Sequence, residues 1–180
     1  MLSSIKDLKN YIEDKSFKKF FLICGKKSFS ISGADIILKD LLKKKETAVY
    51  YKYSEYPILD ELKKIIKDIK NFKPDLILAV GGGAIIDYAK IANAIDLKDN
   101  LADLIINYNY PFKNKYTKLA VIPTTAGSGA EVTSNAVIYV NNIKYSFESN
   151  TLIPDNFFLI PEFLISAPDE IKSSAGFDAI

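Results

Sequence analysis

The 180-residue chain has no histidine and only one cysteine. Without histidine, a Ser-His-Asp relay, a Cys-His pair and every histidine-bearing metal site are excluded for this chain alone. Any base must be a carboxylate, a lysine, a tyrosine or something bound. Cys24 alone makes no intrachain disulfide, and its place in the apolar run Phe20-Phe21-Leu22-Ile23-Cys24 marks a buried structural thiol rather than a nucleophile. Long hydrophobic runs are also missing. None approaches the roughly 20 residues of a membrane span, and Met1-Leu2-Ser3-Ser4-Ile5-Lys6 lacks the apolar centre of a signal peptide. The expected location is cytoplasmic. The net charge of +2 gives no reason to propose a nucleic acid or a membrane as partner, and most lysines read as solvated helix faces. A hydrophobic share of 48% and a charged share of 26% suit one globular domain spanning 1–180.

What is present alternates between two periodicities. Ile5, Leu8, Tyr11 and Ile12 fall at helical spacing and predict an amphipathic opening helix. Lys19 to Cys24 reads as a strand buried on both faces. A helix is expected from about Ser32 to Lys45, with Ile36, Ile37, Leu41 and Leu42 facing inward. Glu46 to Tyr53 is β-branched and aromatic enough for a second strand. Residues 58–71 carry apolar side chains at 58, 59, 62, 65, 66 and 69, a helical stripe. A third strand follows Pro74, its helix runs to about Ile95, and Lys118-Leu119-Ala120-Val121-Ile122 supplies a fourth strand. Alternation of this kind predicts a parallel sheet with right-handed crossovers. Asn135 to Val140 and Ile143 to Phe147 flank Asn141-Asn142, which predicts a β-hairpin. Phe157-Phe158-Leu159-Ile160, among Pro154, Pro161 and Pro168, suggests one more strand.

Two loops carry the chemistry. Asp75 to Lys90 reads as a buried strand, the triplet Gly81-Gly82-Gly83 and the first turns of a helix. Residues without a Cβ permit a sharp turn and close approach of a ligand, and the amides and positive dipole end of the helix attract anionic oxygen. The run lacks the lysine of a Walker loop and the outer glycine spacing of the usual dinucleotide fingerprint. The second loop, Ile122-Pro123-Thr124-Thr125-Ala126-Gly127-Ser128-Gly129-Ala130-Glu131-Val132-Thr133, offers hydroxyls at a strand end. Both would lie at the carboxyl edge of the sheet, where such folds hold ligands. Blander readings stand beside these. Asp87 and Lys90 read as a surface ion pair, the threonines and Ser128 as loop caps, Lys144 as a solvated lysine and Asp178 as a cap or tail residue.

Gly81-Gly82-Gly83-Ala84-Ile85-Ile86-Asp87-Tyr88-Ala89-Lys90 resembles the Gly-Gly-Gly-Ser-x-x-Asp-x-x-Lys motif of the iron-containing (group III) alcohol dehydrogenases. Ile122 to Thr133 is similar, almost position by position, to their Ile-Pro-Thr-Thr-Ala-Gly-Thr-Gly-Ser-Glu-Val-Thr motif. Leu152-Ile153-Pro154-Asp155, Pro161-Glu162 and Ala175-Gly176-Phe177-Asp178-Ala179-Ile180 resemble the segment leading to the family's first metal ligand. The resemblance implies a Rossmann-like NAD(P)-binding domain, and an all-helical domain that would start at about the end of this sequence. It implies that Gly81, Gly82, Gly83 and Ala84 hold the pyrophosphate of NAD or NADP and that Asp87 helps fix the glycine turn. Thr124, Thr125 and Ser128 would approach the nicotinamide end, and Lys144 its ribose. Asp178 would be one ligand of Fe²⁺ or Zn²⁺, with histidines supplied beyond Ile180.

The implied activity is alcohol dehydrogenase or aldehyde reductase chemistry on a small alcohol or aldehyde. The isolated chain would be inactive, with no catalytic residue of its own, and a homo-oligomer is expected from the apolar face left for the helical domain. Ala84 departs from the family's serine. Cys24-Gly25 stands where many members place an aspartate on the adenosine ribose, and Lys26 and Lys27 lie near enough to meet a 2′-phosphate, so NAD and NADP both remain open. Two other readings are a non-catalytic nucleotide-binding module or truncated paralogue, and a lyase resembling dehydroquinate synthase.

Overall fold

A computed structural model describes residues 2–14 and 16–178, with side chains to residue 177. Its first helix, α1 (Ile5–Ile12), starts at a capping box. The Ser4 hydroxyl accepts from the Asp7 amide while the Asp7 carboxylate accepts from the Ser4 amide at 2.8 Å, which satisfies two otherwise unpartnered N–H groups. The chain then alternates through β1 (Lys19–Gly25), α2 (Lys26–Ile31), α3 (Ala34–Leu41), β2 (Glu46–Lys52), α4 (Leu59–Phe72), β3 (Leu76–Gly81) and α5 (Gly83–Ala94). It continues with α6 (Leu101–Ile106), β4 (Lys118–Pro123), β5 (Asn135–Val140), β6 (Ile143–Glu148), β7 (Asn156–Phe157), α7 (Pro161–Ile165) and α8 (Asp169–Asp178).

Among the described residues, five strands form one parallel sheet in the order β2-β1-β3-β4-β7. The interior of β1 and the whole of β3 are buried on both faces, which is why they read as unbroken apolar runs. One core lies against α4, α5 and the hairpin, and the other against α1, α2 and α3. The stripe of α4 buries Leu59, Leu62, Ile65, Ile66 and Ile69, as its spacing requires. The hairpin β5-β6 turns at Asn141 and Asn142, both at positive φ (51° and 63°), the backbone that a tight two-residue turn needs.

Three expectations change. The helix expected over 32–45 is shorter, α3 (Ala34–Leu41), because Gly33 turns left-handed at φ 72° and separates it from α2, which ends at Ile31. Of the four side chains expected to face inward, Leu42 is buried, Ile37 and Leu41 pack half-buried against the core, and Ile36 is 71% exposed, while Ala34 and Leu38 carry the rest of the buried stripe. The last strand is two residues long, since Pro161 opens α7 close behind it. Helices α2, α6, α7 and α8 have no counterpart among the elements expected from spacing. No helix among the described residues is long and apolar enough to cross a membrane.

Candidate cofactor site

The strand order reverses direction between β1 and β3, so a crevice opens at their carboxyl ends. Gly25, Gly81 and Pro123 close β1, β3 and β4, and the β3 and β4 ends are tied where the Thr124 amide donates to the Gly81 carbonyl at 3.1 Å. The glycine turn and the hydroxyl loop therefore face each other. A Cβ on Gly82 would stand 3.0 Å from Thr125 Oγ1, and one on Gly83 would stand 3.1 Å from Ser128 Oγ. At Gly81 it would strike Ile85 Cγ1 at 2.6 Å, a branched side chain with little freedom to move. Helix α5 begins here, and the amides of Gly83 and Ala84 have no acceptor within it.

A hollow of about 140 Å³ lies at this edge, lined by Ser28, Gly82, Thr124, Thr125, Phe163 and Ile171 among others. A second of about 290 Å³ adjoins it between Thr125-Ala126-Gly127 and α8. Gly127, at φ 139°, lets α8 come close, for a Cβ there would stand 2.0 Å from the Ala175 carbonyl oxygen. Thr124 is 3% exposed, and its Oγ1 is buried without a hydrogen-bond partner among the described atoms. Such an orphan is unusual, because an unmet hydroxyl costs about 1–3 kcal/mol.

Asp87 and Lys90 do not form the surface pair that their spacing suggested. Lys90 is fully buried, and its ammonium donates to the carbonyls of Ala130 (2.9 Å), Thr133 (2.8 Å) and Asn135, clamping the hydroxyl loop to β5. Desolvation lowers its pKa, opposed by the charges of Asp87 and Glu131. Asp87 accepts from the Val137 amide at 3.2 Å, and burial pushes its carboxyl up to about 6 against the pull of Lys90, that amide and Lys144. Lys144 itself is exposed on β6. Cys24 is fully buried, and burial raises its thiol to about 12, as expected of a structural residue.

Next to the site, Glu61 is fully buried and accepts from the Tyr53 and Ser54 amides (2.8 and 3.1 Å) and from the Tyr88 hydroxyl (3.0 Å). Its charge is satisfied by donors that fix the β2–α4 turn against α5. Ser28 was missed by sequence reasoning. It lines the hollow together with Gly82, Thr124 and Thr125, residues more than fifty positions away, a placement with no signal in local pattern. The side chain of Asp178 lies outside the described residues. Among those described, no three histidine, cysteine, aspartate or glutamate side chains come together as a metal site.

A doubly wound parallel sheet with a glycine turn and a hydroxyl loop at its switch point defines a Rossmann-like α/β domain. The family model for iron-containing alcohol dehydrogenases matches residues 2–161, and the chain belongs to that family. It is 30% identical over its full length to 4-hydroxybutyrate dehydrogenase of Clostridium kluyveri, covering 49% of that protein. It is 28% identical over 93% of its length to aldehyde-alcohol dehydrogenase 2 of Entamoeba histolytica, covering 21% of it. In fold it matches sulfoacetaldehyde reductase from Bifidobacterium kashiwanohense, solved with NAD⁺, at a TM-score of 0.84 and 24% identity over 97% of this chain and 46% of that one. The chain thus spans half or less of the length of these relatives.

Proposed function

We propose that this chain is the NAD(P)-binding part of an alcohol dehydrogenase or aldehyde reductase acting on a small alcohol or aldehyde. The observation that carries the reading is Thr124 Oγ1, a buried hydroxyl without a partner, set in a hollow between a glycine turn and a second hydroxyl. A dinucleotide fits these residues. The amides of Gly82, Gly83 and Ala84, backed by the dipole of α5, suit a diphosphate, with Gly81 keeping the turn tight enough to reach it. Thr124, Thr125 and Ser128 offer donors and acceptors to a carboxamide, and Lys144 offers a cation to a ribose. Asp87, through the Val137 amide, holds the glycine helix to the hairpin that carries Lys144. When bound, the dinucleotide supplies hydride acceptance and donation. The NAD⁺ bound to the bifidobacterial reductase supports the choice of ligand.

The described side chains do not by themselves fit an iron or zinc ion. We propose Asp178 as this chain's one contribution to a metal site completed by a helical domain after residue 180. On that reading residues 1–180 bind cofactor and do not turn over substrate. Titration with NADH and NADPH, followed by nicotinamide fluorescence, tests the site. Saturable binding of one or both is expected, and Gly82→Val abolishes it, since its methyls must displace Thr125 from 3.0 Å. Equal binding by wild type and variant would overturn the assignment.

A further inference from the structure

We propose that Tyr88 and Glu61 are a positioning pair for the diphosphate of the dinucleotide, holding helix α5 on the side that Asp87 and Lys90 leave unanchored. The pair serves the cofactor site proposed above and rests on that reading. The turn that would hold the diphosphate has no side-chain anchor of its own. Gly81, Gly82 and Gly83 carry no side chain, and Ala84 offers a methyl. Ile85 and Ile86, which follow, pack in the core through contacts without direction. The aim of the first α5 amides is therefore set by the directional bonds that come next along the helix.

Those bonds come from three neighbouring residues. Asp87 accepts from the Val137 amide of β5 at 3.2 Å, and Lys90 donates to the Ala130 and Thr133 carbonyls at 2.9 and 2.8 Å. At about 100° of turn per residue, these two side chains leave the helix only about 60° apart, both toward the hydroxyl loop and the hairpin. Tyr88 leaves about 100° from Asp87 and about 160° from Lys90, toward the β2–α4 turn. It is fully buried, and its hydroxyl donates to Glu61 Oε2 at 3.0 Å and accepts from the Ile58 amide at 2.6 Å. Glu61 is held in turn by the Tyr53 and Ser54 amides and by the Ser54 hydroxyl. A helix bonded along one side can tilt about that side, whereas bonds on opposite sides fix it. Cohesion alone does not require this network, since apolar side chains of similar volume would fill the space without desolvating a carboxylate. What the network adds is direction, because a hydrogen bond weakens steeply away from its preferred angle.

A double-mutant cycle of Tyr88→Phe and Glu61→Gln, both close to the native shapes, tests the pair. Nicotinamide fluorescence is titrated with whichever of NADH and NADPH wild type binds more tightly, at a temperature where circular dichroism finds every variant folded. Each single variant should bind about tenfold more weakly, and the double variant should lose no more than either, because the two residues act as one unit. ADP, displacing the reduced dinucleotide, should weaken by the same factor, since the defect lies at the diphosphate and not at the nicotinamide. A purely packing role would lower the melting temperature and leave these affinities unchanged. Wild-type affinity in Tyr88→Phe, losses that add in the double variant, or a weakened dinucleotide with unchanged ADP would each overturn the pair and leave the cofactor site standing. No binding by wild type would overturn both.

Discussion

Thr124 shows what one side chain reveals when its chemistry is incomplete. If its Oγ1 awaits a ligand, Thr124→Val removes an unmet hydroxyl at nearly constant shape. The variant should unfold at or above the wild-type temperature while binding NADH or NADPH about tenfold more weakly, by thermal melts and fluorescence titration. Asp87 makes a separate prediction in pH. Its carboxyl titrates near 6 in the folded chain, above its ordinary 3.8. Below 3.8 both states hold the proton. Between 3.8 and 6 the folded state keeps a proton that the unfolded state has released, so stability falls as pH rises through this window. The slope is at most about 1.4 kcal/mol per pH unit. Asp96, held at about 2 by Lys113 and Lys70, acts at lower pH and in the opposite sense. Denaturant melts at pH 4, 5, 6 and 7 should show the decline, and Asp87→Asn should flatten it. Sequence made Thr124 and Asp87 legible as candidates, because glycine and hydroxyl patterns are local. Their burial was not legible, since it depends on what covers them.

The loops act through the elements they join. The i, i+3 spacing of Lys90 to Asp87 misleads, because spacing on α5 says nothing about the hydroxyl loop and β5 lying over that face. In the fold Lys90 spans helix, loop and hairpin, with three carbonyls around one ammonium. Lys90→Met keeps most of the stem and removes the charge, leaving those carbonyls unpaired in a buried place. We expect a loss of about 3 kcal/mol in a urea melt, and weakened NADH binding through a loosened Thr124–Ser128 segment. Helix α3 carries a milder form of the lesson, since Leu42, Ile37 and Leu41 meet the core as periodicity selected while Ile36 does not.

For the whole molecule, ligand and fold are linked by mass action. At a concentration of one hundred times its dissociation constant, a dinucleotide that binds only the folded state adds about 2.7 kcal/mol. For a domain of this size that is a rise of roughly 8 °C in the unfolding midpoint. Differential scanning fluorimetry with NADH and NADPH should show it for the preferred cofactor, and Gly82→Val should abolish it. On α7 and α8, Ile165 and Phe177 stand 71% and 79% exposed beside the crevice. This is the apolar face on which our reading places a following helical domain.

The sequence by itself determined the strands, the α4 stripe, the hairpin turn and the two loops. Each is written in spacing of two or 3.6 residues and in where glycine, proline and asparagine fall. Only the tertiary structure decided that Lys90 is a buried clamp, that Ser28 reaches the crevice, that Thr124 lacks a partner and that β2 lies at the sheet edge. These are relations between segments tens of residues apart, set by the parallel strand order, and no local pattern encodes which element covers which.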